Sequence, residues 1–229
     1  MPPTPKHNLD GARARGYGLF VDIDGVGTTS ESERAPLYGL PVNLVLSGRT
    51  VLVVGGGRVA TRKVDSFLDV GALVEVVAPE VSDTLAAYAR TGRIEWTQRR
   101  FLRSDVDRAY FICAATGDPN VEHQVFESAE RARRFANAAD VPEACSATLM
   151  ALHRDRDLIV AVGSNGRSPA VAKAVRDSIA EHLAHNAGEV LDVVAAERDA
   201  VRSNGQSSET VDWQPIIETA RQRSAIPER

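Results

Sequence analysis

The sequence has little cysteine, few aromatic residues and no excess of basic charge. Among its 229 residues there are two cysteines, aromatic residues make up 5%, and the formal net charge is -4. Two cysteines provide no disulfide framework, and an acidic balance argues against nucleic acid as a partner. No apolar run approaches the ~20 residues of a membrane span, and the N-terminus has no signal-peptide core. We therefore expect a cytoplasmic protein without a nucleic-acid or membrane partner.

The composition that remains is that of an ordinary globular protein, with 43% hydrophobic and 25% charged residues. Residues 1–36 have little periodicity, and we expect a mostly disordered extension there. Between residues 38 and 141, short apolar runs alternate with amphipathic stretches, which predicts a parallel sheet covered by helices on both faces. Strands are predicted over residues 50–54, 73–78, 94–98, 109–114 and 135–138. Helices are predicted after residue 57, over residues 82–90 and after the pair Asp118-Pro119.

A different pattern follows Pro142. Two closely spaced apolar segments, residues 147–152 and 158–163, predict an antiparallel pair joined by a charged turn over residues 153–157. A helix is predicted from Ser168-Pro169 to about His185, and further helices over residues 189–202 and 213–223. The expected fold is α/β, a Rossmann-type parallel sheet with a smaller α+β unit and a C-terminal helical region. The expected boundaries are residues 37–142, 143–185 and 186–229.

Residues 51–60 contain the most informative motif. Four apolar residues lead into Gly55-x-Gly57-x-x-Ala60, which is typical of a strand, a tight turn and the start of a helix in dinucleotide-binding folds. Gly55 allows the sharp turn, Gly57 lets a pyrophosphate approach the backbone, and the helix N-terminus at Arg58 and Val59 supplies N–H groups for it. A bland strand–turn–helix connection is the alternative to this cofactor site.

Two further strand ends complete the predicted cofactor site. At the end of the second strand, Ala78 occupies the position where an acidic residue usually binds the adenosine ribose. Pro79 and Glu80, in the turn that follows, are therefore the candidate ribose contacts. This turn has no Arg or Lys for a 2′-phosphate, which favours NAD over NADP. Small residues after the fourth strand, including Ala115 and Thr116, would let the nicotinamide half pass.

Asp140 and the loop over residues 163–169 are the candidates for chemistry and substrate binding. Asp140 follows the fifth strand and is the best placed acid or base, although a turn-forming Asp is an equal alternative. The polar loop could present N–H donors to an anion, with Arg167 adding positive charge; an ordinary strand–helix connection is its alternative. The histidines offer no third ligand at useful spacing, so no metal site is expected.

Together these segments resemble the precorrin-2 dehydrogenase family, which is shared with the N-terminal region of siroheme synthases. The resemblance extends from residue 38 to about residue 183 and rests on residues 55–63, 76–79, 114–116, 137–142 and 166–170. It implies NAD-dependent oxidation of precorrin-2 to sirohydrochlorin by a homodimer that associates through the second unit. It also implies that Asp140 is the catalytic acid or base, and that Asn137, Ser164, Gly166, Arg167 and Ser168 contact the tetrapyrrole.

Some members of that family also insert ferrous iron into sirohydrochlorin, whereas others only oxidise, so the resemblance leaves chelation open. In some relatives the position of Ser164 is a serine that can be phosphorylated, and the resemblance leaves phosphorylation of Ser164 open. Two other functions stay possible for the same glycine motif. One is a non-catalytic NAD-sensing regulatory domain, which would need neither Asp140 nor the basic loop. The other is a dehydrogenase for another small substrate.

Overall fold

The structure is a computed structural model that describes residues 39–139, 141–183 and 186–224. The predicted extension over residues 1–36 therefore lies outside the described residues, as does Asp140. In chain order the elements are β1 Thr50–Val54, α1 Arg58–Leu68, β2 Leu73–Val77, α2 Asp83–Arg90, β3 Glu95–Thr97, β4 Phe111–Ala114, α3 Pro119–Arg131, β5 Phe135–Ala138, β6 Ala151–Asp155, β7 Leu158–Val162, α4 Pro169–His182, α5 Ala187–Ser203 and α6 Gln214–Ser224. Short 3₁₀ helices span Arg103–Arg108, Pro142–Ala144 and Ser208–Thr210.

The first five strands form one parallel sheet in the order β3-β2-β1-β4-β5. Strand β1 is central, pairing with β2 on one side and β4 on the other. The chain thus winds outward from β1 in both directions, which creates a topological switch point between β1 and β4. The predicted parallel sheet is confirmed, and β3 is one of its two edge strands.

Helices cover both faces of this sheet because the strands are apolar on both sides. Side chains at one face pack with α1 and α2 around Val53, Val64 and Leu85. Those at the other face pack with α3 around Ile112 and Val125. Strands buried on both faces read as continuous apolar runs, as β1 and β4 do here.

The predicted helix starts at Ser82, Asp118 and Ser168 are confirmed by their capping bonds. The Ser82 hydroxyl accepts from the Leu85 N–H at 3.3 Å, and the Asp118 carboxylate accepts from Asn120 at 2.9 Å. The Ser168 hydroxyl accepts from the N–H of the residue three positions on, at 3.2 Å. These caps satisfy N–H groups that a helix leaves without internal partners.

The second part of the chain contains an antiparallel hairpin, as expected, but with different bounds. Strand β6 begins at Ala151 rather than at residue 147, and the turn consists of Arg156 and Asp157, with Arg156 at φ 53°. His153 therefore lies within β6 rather than in a turn. The reason is that residues 146–147 are bound elsewhere, because the Ser146 and Ala147 N–H groups both donate to the Ala136 carbonyl.

In the described part of the chain, no helix combines the length and the apolar character that crossing a membrane requires.

Candidate functional site

The turn after β1 places the first glycine against β4. Gly55 has φ +119°, a conformation that favours glycine, and a Cβ at this position would lie 2.2 Å from the Ala115 carbonyl oxygen. The Gly55 N–H donates to Val77, and the Ala115 N–H donates to Val54. The predicted role of Gly55 thus has a geometric basis: the turn fills the space between the ends of β2 and β4.

Gly56 is a glycine that the Gly55-x-Gly57 motif does not specify. A Cβ there would lie 2.0 Å from the Glu80 carbonyl oxygen and 2.8 Å from the Val81 Cα. The Ser82 N–H also donates to the Gly56 carbonyl at 2.8 Å. The glycine turn and the loop after β2 are therefore packed backbone against backbone. Sequence spacing treats position 56 as variable, so the motif contained no signal for this contact.

Gly57 shows the opposite environment. It is exposed, and a Cβ there would meet none of the described residues within 4 Å. Gly57 is the N-cap of α1, yet no side chain in the described residues caps this helix and its first turn contains no acidic residue. The N-terminus of α1 therefore has free N–H groups beside open space, which fits the diphosphate of a dinucleotide.

The charges on α1 support this assignment. Arg58 and Arg62 lie in its first turns and are exposed, while Val59 is half-buried. A cation in the first turn, such as Arg58, faces the positive end of the macrodipole, which destabilises the isolated helix by roughly 0.3–1 kcal/mol. A bound anion would offset this repulsion.

The end of β2 is fixed by its neighbours but leaves the predicted ribose contacts accessible. The Trp96 indole N–H donates to the Ala78 carbonyl at 3.0 Å. Pro79 and Glu80, which follow, are both exposed. The Ser82 hydroxyl lies 2.9 Å from the Thr61 hydroxyl, which connects this loop to the first turns of α1.

At the end of β4, a buried carboxylate organises the loop that contains Thr116. Glu122 of α3 is 2% exposed. Its Oε1 accepts from the N–H groups of Thr116 at 3.1 Å and Gly117 at 3.2 Å. Glu122 is not part of any sequence motif, but it shares the inner face of α3 with Val125 and Ala129, where an acidic residue is unusual.

Asn137 and Cys145 precede and follow residue 140 in the sequence and bind the described chain on each side of it. The Asn137 amide donates to the Ala147 carbonyl at 3.0 Å, and its side chain is nearly buried. The Cys145 thiol accepts from the Ala138 N–H at 3.2 Å and lies 3.5 Å from the Val141 carbonyl. Burial raises the pKa of the Cys145 thiol, so it stays protonated at neutral pH. These contacts fix the chain on both sides of residue 140. No motif in the sequence indicated the role of Cys145.

The loop between β7 and α4 is held by its own hydrogen bonds. The Arg167 N–H donates to the Ser164 carbonyl at 3.0 Å, and the Ser168 N–H donates to the Ser164 hydroxyl at 3.1 Å. Asn165 and Gly166 have φ 50° and 76°, so the chain reverses tightly. The Arg167 side chain is exposed. Among the described residues, no hydrogen bond joins this loop to Asn137 or to the strand ends that form the predicted cofactor site. The structure therefore does not bring the predicted substrate loop into direct contact with either.

This geometry agrees with what the chain is similar to. Residues 42–151 match a family described as putative NAD(P)-binding. Siroheme synthase from Actinobacillus pleuropneumoniae is 34% identical over 164 residues, which is 72% of this chain and 34% of that protein. Siroheme synthase from Pseudomonas entomophila is 37% identical over 164 residues, 72% of this chain and 35% of that protein. The chain thus spans about a third of the length of the curated relatives it matches.

A solved structure extends the similarity to most of the chain. The structure titled SirC, precorrin-2 dehydrogenase, superposes with a TM-score of 0.66 at 26% identity, covering 81% of this chain and 96% of that one. The two sets of matches agree with each other and with the α/β fold described above. The chain belongs to the precorrin-2 dehydrogenase family.

Proposed function

We propose that this protein oxidises precorrin-2 to sirohydrochlorin with NAD as the hydride acceptor, a step of siroheme biosynthesis. The observation that carries the proposal is the N-terminus of α1, which no described side chain caps, beside the open space at Gly57 and at the switch point of the sheet. Ligands of open α/β sheets bind at this position. The similarity to a precorrin-2 dehydrogenase over 96% of its chain supports the substrate.

Different strand ends of the sheet would bind different parts of the cofactor. Gly57, Arg58 and Val59 would hold the diphosphate, with Pro79 and Glu80 at the adenosine ribose. Ala115 and Thr116 would line the nicotinamide side. The loop after β2 has no basic side chain for a 2′-phosphate, which favours NAD over NADP. When bound, the nicotinamide accepts the hydride that leaves the tetrapyrrole carbon.

Asp140 is the proposed base. Dehydrogenation releases a proton as well as a hydride, and a carboxylate next to the fifth strand can accept that proton. The hydrogen bonds of Cys145 to Ala138 and Asn137 to Ala147 support this role, because they restrain the flanking chain. A general base held in one place is more effective than a mobile one.

The loop over residues 164–168 is the proposed site for substrate carboxylates. Arg167 is exposed and basic, and Ser164, Gly166 and Ser168 surround it in a reversed chain. Charge-assisted hydrogen bonds between a guanidinium and carboxylates suit a substrate that has many acidic side chains. Among the described residues, this loop makes no hydrogen bond to Asn137 or to the proposed cofactor site. Asn137 and Arg167 would therefore contact different parts of one large substrate.

The protein is further proposed to form a homodimer through its second part. Three residues of α4 form an exposed apolar stripe at spacings of four, Val171, Val175 and Ile179. Leu152 and Ile159 of the hairpin are exposed apolar residues on neighbouring strands. Exposed apolar residues in such numbers are typical of an interface, and a second copy of the chain would cover those of α4.

The function is tested by incubating the full chain with precorrin-2 and NAD and following sirohydrochlorin formation by absorbance. We expect oxidation with NAD and a slower rate with NADP at equal concentration. Asp140→Asn should reduce kcat by roughly 10²–10⁴-fold without changing NAD affinity. Glu143→Gln, which alters an exposed carboxylate three residues away, is the matched control.

Three outcomes would contradict parts of this proposal. NAD binding without sirohydrochlorin formation would favour an NAD-sensing regulatory domain. A wild-type rate in Asp140→Asn would remove the assigned base. A preference for NADP would overturn the interpretation of the loop after β2. Adding ferrous iron once oxidation is complete tests chelation in the same cuvette, and metal insertion no faster than without protein would leave a dehydrogenase alone.

A further inference from the structure

Glu122 is a buried acidic residue that the proposed mechanism does not use. It lies in α3, its side chain is 2% exposed, and Oε1 accepts from two consecutive backbone N–H groups, those of Thr116 and Gly117. The Thr116 hydroxyl lies 3.4 Å from the same oxygen and 3.2 Å from the Asp118 carbonyl, its nearer acceptor. An ionised carboxylate only accepts hydrogen bonds, and the two N–H groups are donors that suit it.

The loop that Glu122 holds follows β4, so it lies on one side of the switch point between β1 and β4, where ligands of such sheets bind. The Ala115 carbonyl, one residue earlier, is the atom that a Cβ on Gly55 would strike. The loop that contains Thr116 and Gly117 therefore starts directly beside the glycine turn. Within the loop, Gly117 has φ +74°, and the Thr116 hydroxyl donates to the Asp118 carbonyl at 3.2 Å and accepts from the Asp118 N–H at 3.1 Å. The N–H groups of Thr116 and Gly117 themselves are held by Glu122.

A fixed negative charge at this loop would distinguish the two redox states of the cofactor. The nicotinamide ring is cationic in NAD⁺ and neutral in NADH, whereas the adenosine and the diphosphate are identical in both. The Glu122 carboxylate, at the loop after β4, would attract the cationic ring. The attraction is stronger because Glu122 is shielded from water. Any repulsion of the diphosphate affects both forms equally and cancels in their affinity ratio.

We propose that Glu122 is a positioning residue with two effects: it fixes the Thr116–Gly117 backbone by accepting its N–H groups, and its charge favours NAD⁺ over NADH. The inference rests on the proposed function, because it requires a nicotinamide dinucleotide at the switch point. The bias suits an oxidising enzyme, which has to take up NAD⁺ and release NADH.

Two substitutions separate the effects. Glu122→Gln keeps an oxygen acceptor for the two N–H groups and removes the charge. Glu122→Ala removes both and leaves buried donors without a partner. Glu130→Gln, an exposed residue of the same helix, makes the same change in net charge far from the loop contacts and serves as the control.

The experiment measures dissociation constants of NAD⁺ and NADH by calorimetry on the full chain, with thermal unfolding to confirm that each variant is folded. In Glu122→Gln we expect the affinity ratio to shift towards NADH by about fivefold, with NADH affinity nearly unchanged. In Glu122→Ala we expect both affinities to fall at least tenfold. Glu130→Gln should match the wild type.

Equal losses for NAD⁺ and NADH in Glu122→Gln, or no change in either, would overturn the proposed charge effect. Wild-type affinities in a folded Glu122→Ala would overturn the positioning role. Failure of the wild-type protein to bind either dinucleotide would be a different result, since it would reject the proposed function and this inference together.

Discussion

The parallel sheet and the second part of the chain differ in how they use apolar residues. In the sheet, β1 and β4 are apolar and buried on both faces, with Val51, Val53 and Ile112 at 0% exposure. In the second part, α4 exposes Val171 at 58% and Val175 at 43%. After residue 145 the buried apolar residues among those described are small or few: Ala172, Val190 and Ala220.

The difference teaches that the two regions solve the problem of burial by different means. The sheet is covered on each face by helices of its own chain, so its core is complete within one molecule. The hairpin and α4 form too thin a layer to bury both of their faces, because a two-stranded ribbon is marginal alone. Their exposed apolar stripe is explained if another surface covers it, as the proposed dimer requires.

The largest effect is expected from cutting into the complete core. Ile112→Ala should destabilise the protein by about 3–5 kcal/mol, because the lost contacts leave a cavity between β4 and α3. Ile159→Ala in the hairpin should cost less than about 1 kcal/mol in dilute protein, where this side chain is partly in water. Urea unfolding at two protein concentrations measures both. An equal cost for the two variants in dilute protein would contradict the comparison.

A smaller loss of stability is expected at the glycine turn. Gly56→Ala places a Cβ 2.0 Å from the Glu80 carbonyl oxygen, so the backbone has to move, at a cost of about 2–3 kcal/mol. Gly57→Ala meets open space among the described residues and should change stability by less than about 0.5 kcal/mol. Thermal unfolding compares the two.

NAD titration of the same pair adds a functional readout. Both variants should bind NAD more weakly, Gly56→Ala because the turn is displaced and Gly57→Ala because a methyl group enters the diphosphate space. Unchanged affinity in Gly57→Ala would show that the open space at α1 is not where the diphosphate binds.

These two glycines also show how far the sequence alone could predict this site. The order of strands and helices follows from periodicity and capping residues, so the sheet and the helix starts at Ser82 and Asp118 were predictable. The motif identified Gly55, because its positive φ belongs to the local turn that the motif describes, although Gly55 also lies against the Ala115 carbonyl. It did not identify Gly56, which is required by contact with the loop at Glu80, distant in sequence. It did not identify Glu122 either, because the shape of the loop that Glu122 binds is not evident from the sequence.

The start of β6 was predicted wrongly for a similar reason. Residues 147–150 look suitable for a strand, but the Ala136 carbonyl accepts from the Ser146 and Ala147 N–H groups and holds this segment against β5. The pairing partner of a chain segment is a tertiary property, and local pattern cannot choose between a hairpin and a contact with an earlier strand.

The apolar stripe on α4 gives the third prediction. Val175→Glu should dissociate the proposed dimer, weakening association by at least 100-fold, because a buried interface would then contain an unpaired carboxylate. The monomer should stay folded, since Val175 is 43% exposed in one chain. Size-exclusion chromatography with light scattering checks both statements. Lys173→Glu, on the same helix and exposed, is the control for charge alone. A wild-type protein that is monomeric at high concentration would refute the dimer directly.

The smallest effect is expected from comparing an Arg–Asp pair in each region. Arg99 donates to both oxygens of Asp105, at 2.8 and 2.7 Å, and that carboxylate is 9% exposed, whereas Asp192, paired with Arg156, is 46% exposed. Burial by itself would raise the pKa of Asp105, but the hydrogen bonds from Arg99 and the Leu102 N–H outweigh it and hold that pKa below its ordinary value of 3.8.

A depressed pKa stabilises the folded state above the unfolded pKa, and that contribution is lost as the pH falls through the folded value. Asp105→Asn should therefore cost less than about 1 kcal/mol near neutral pH, the modest figure reflecting the partly exposed pair. The difference from the wild type should shrink below about pH 4, as the wild-type carboxylate becomes protonated. Urea unfolding between pH 3 and 7 measures this, with Asp192→Asn as the matched change in the second part. A cost for Asp105→Asn that does not vary with pH would mean that its shape, rather than its charge, stabilises the chain around the 3₁₀ helix Arg103–Arg108.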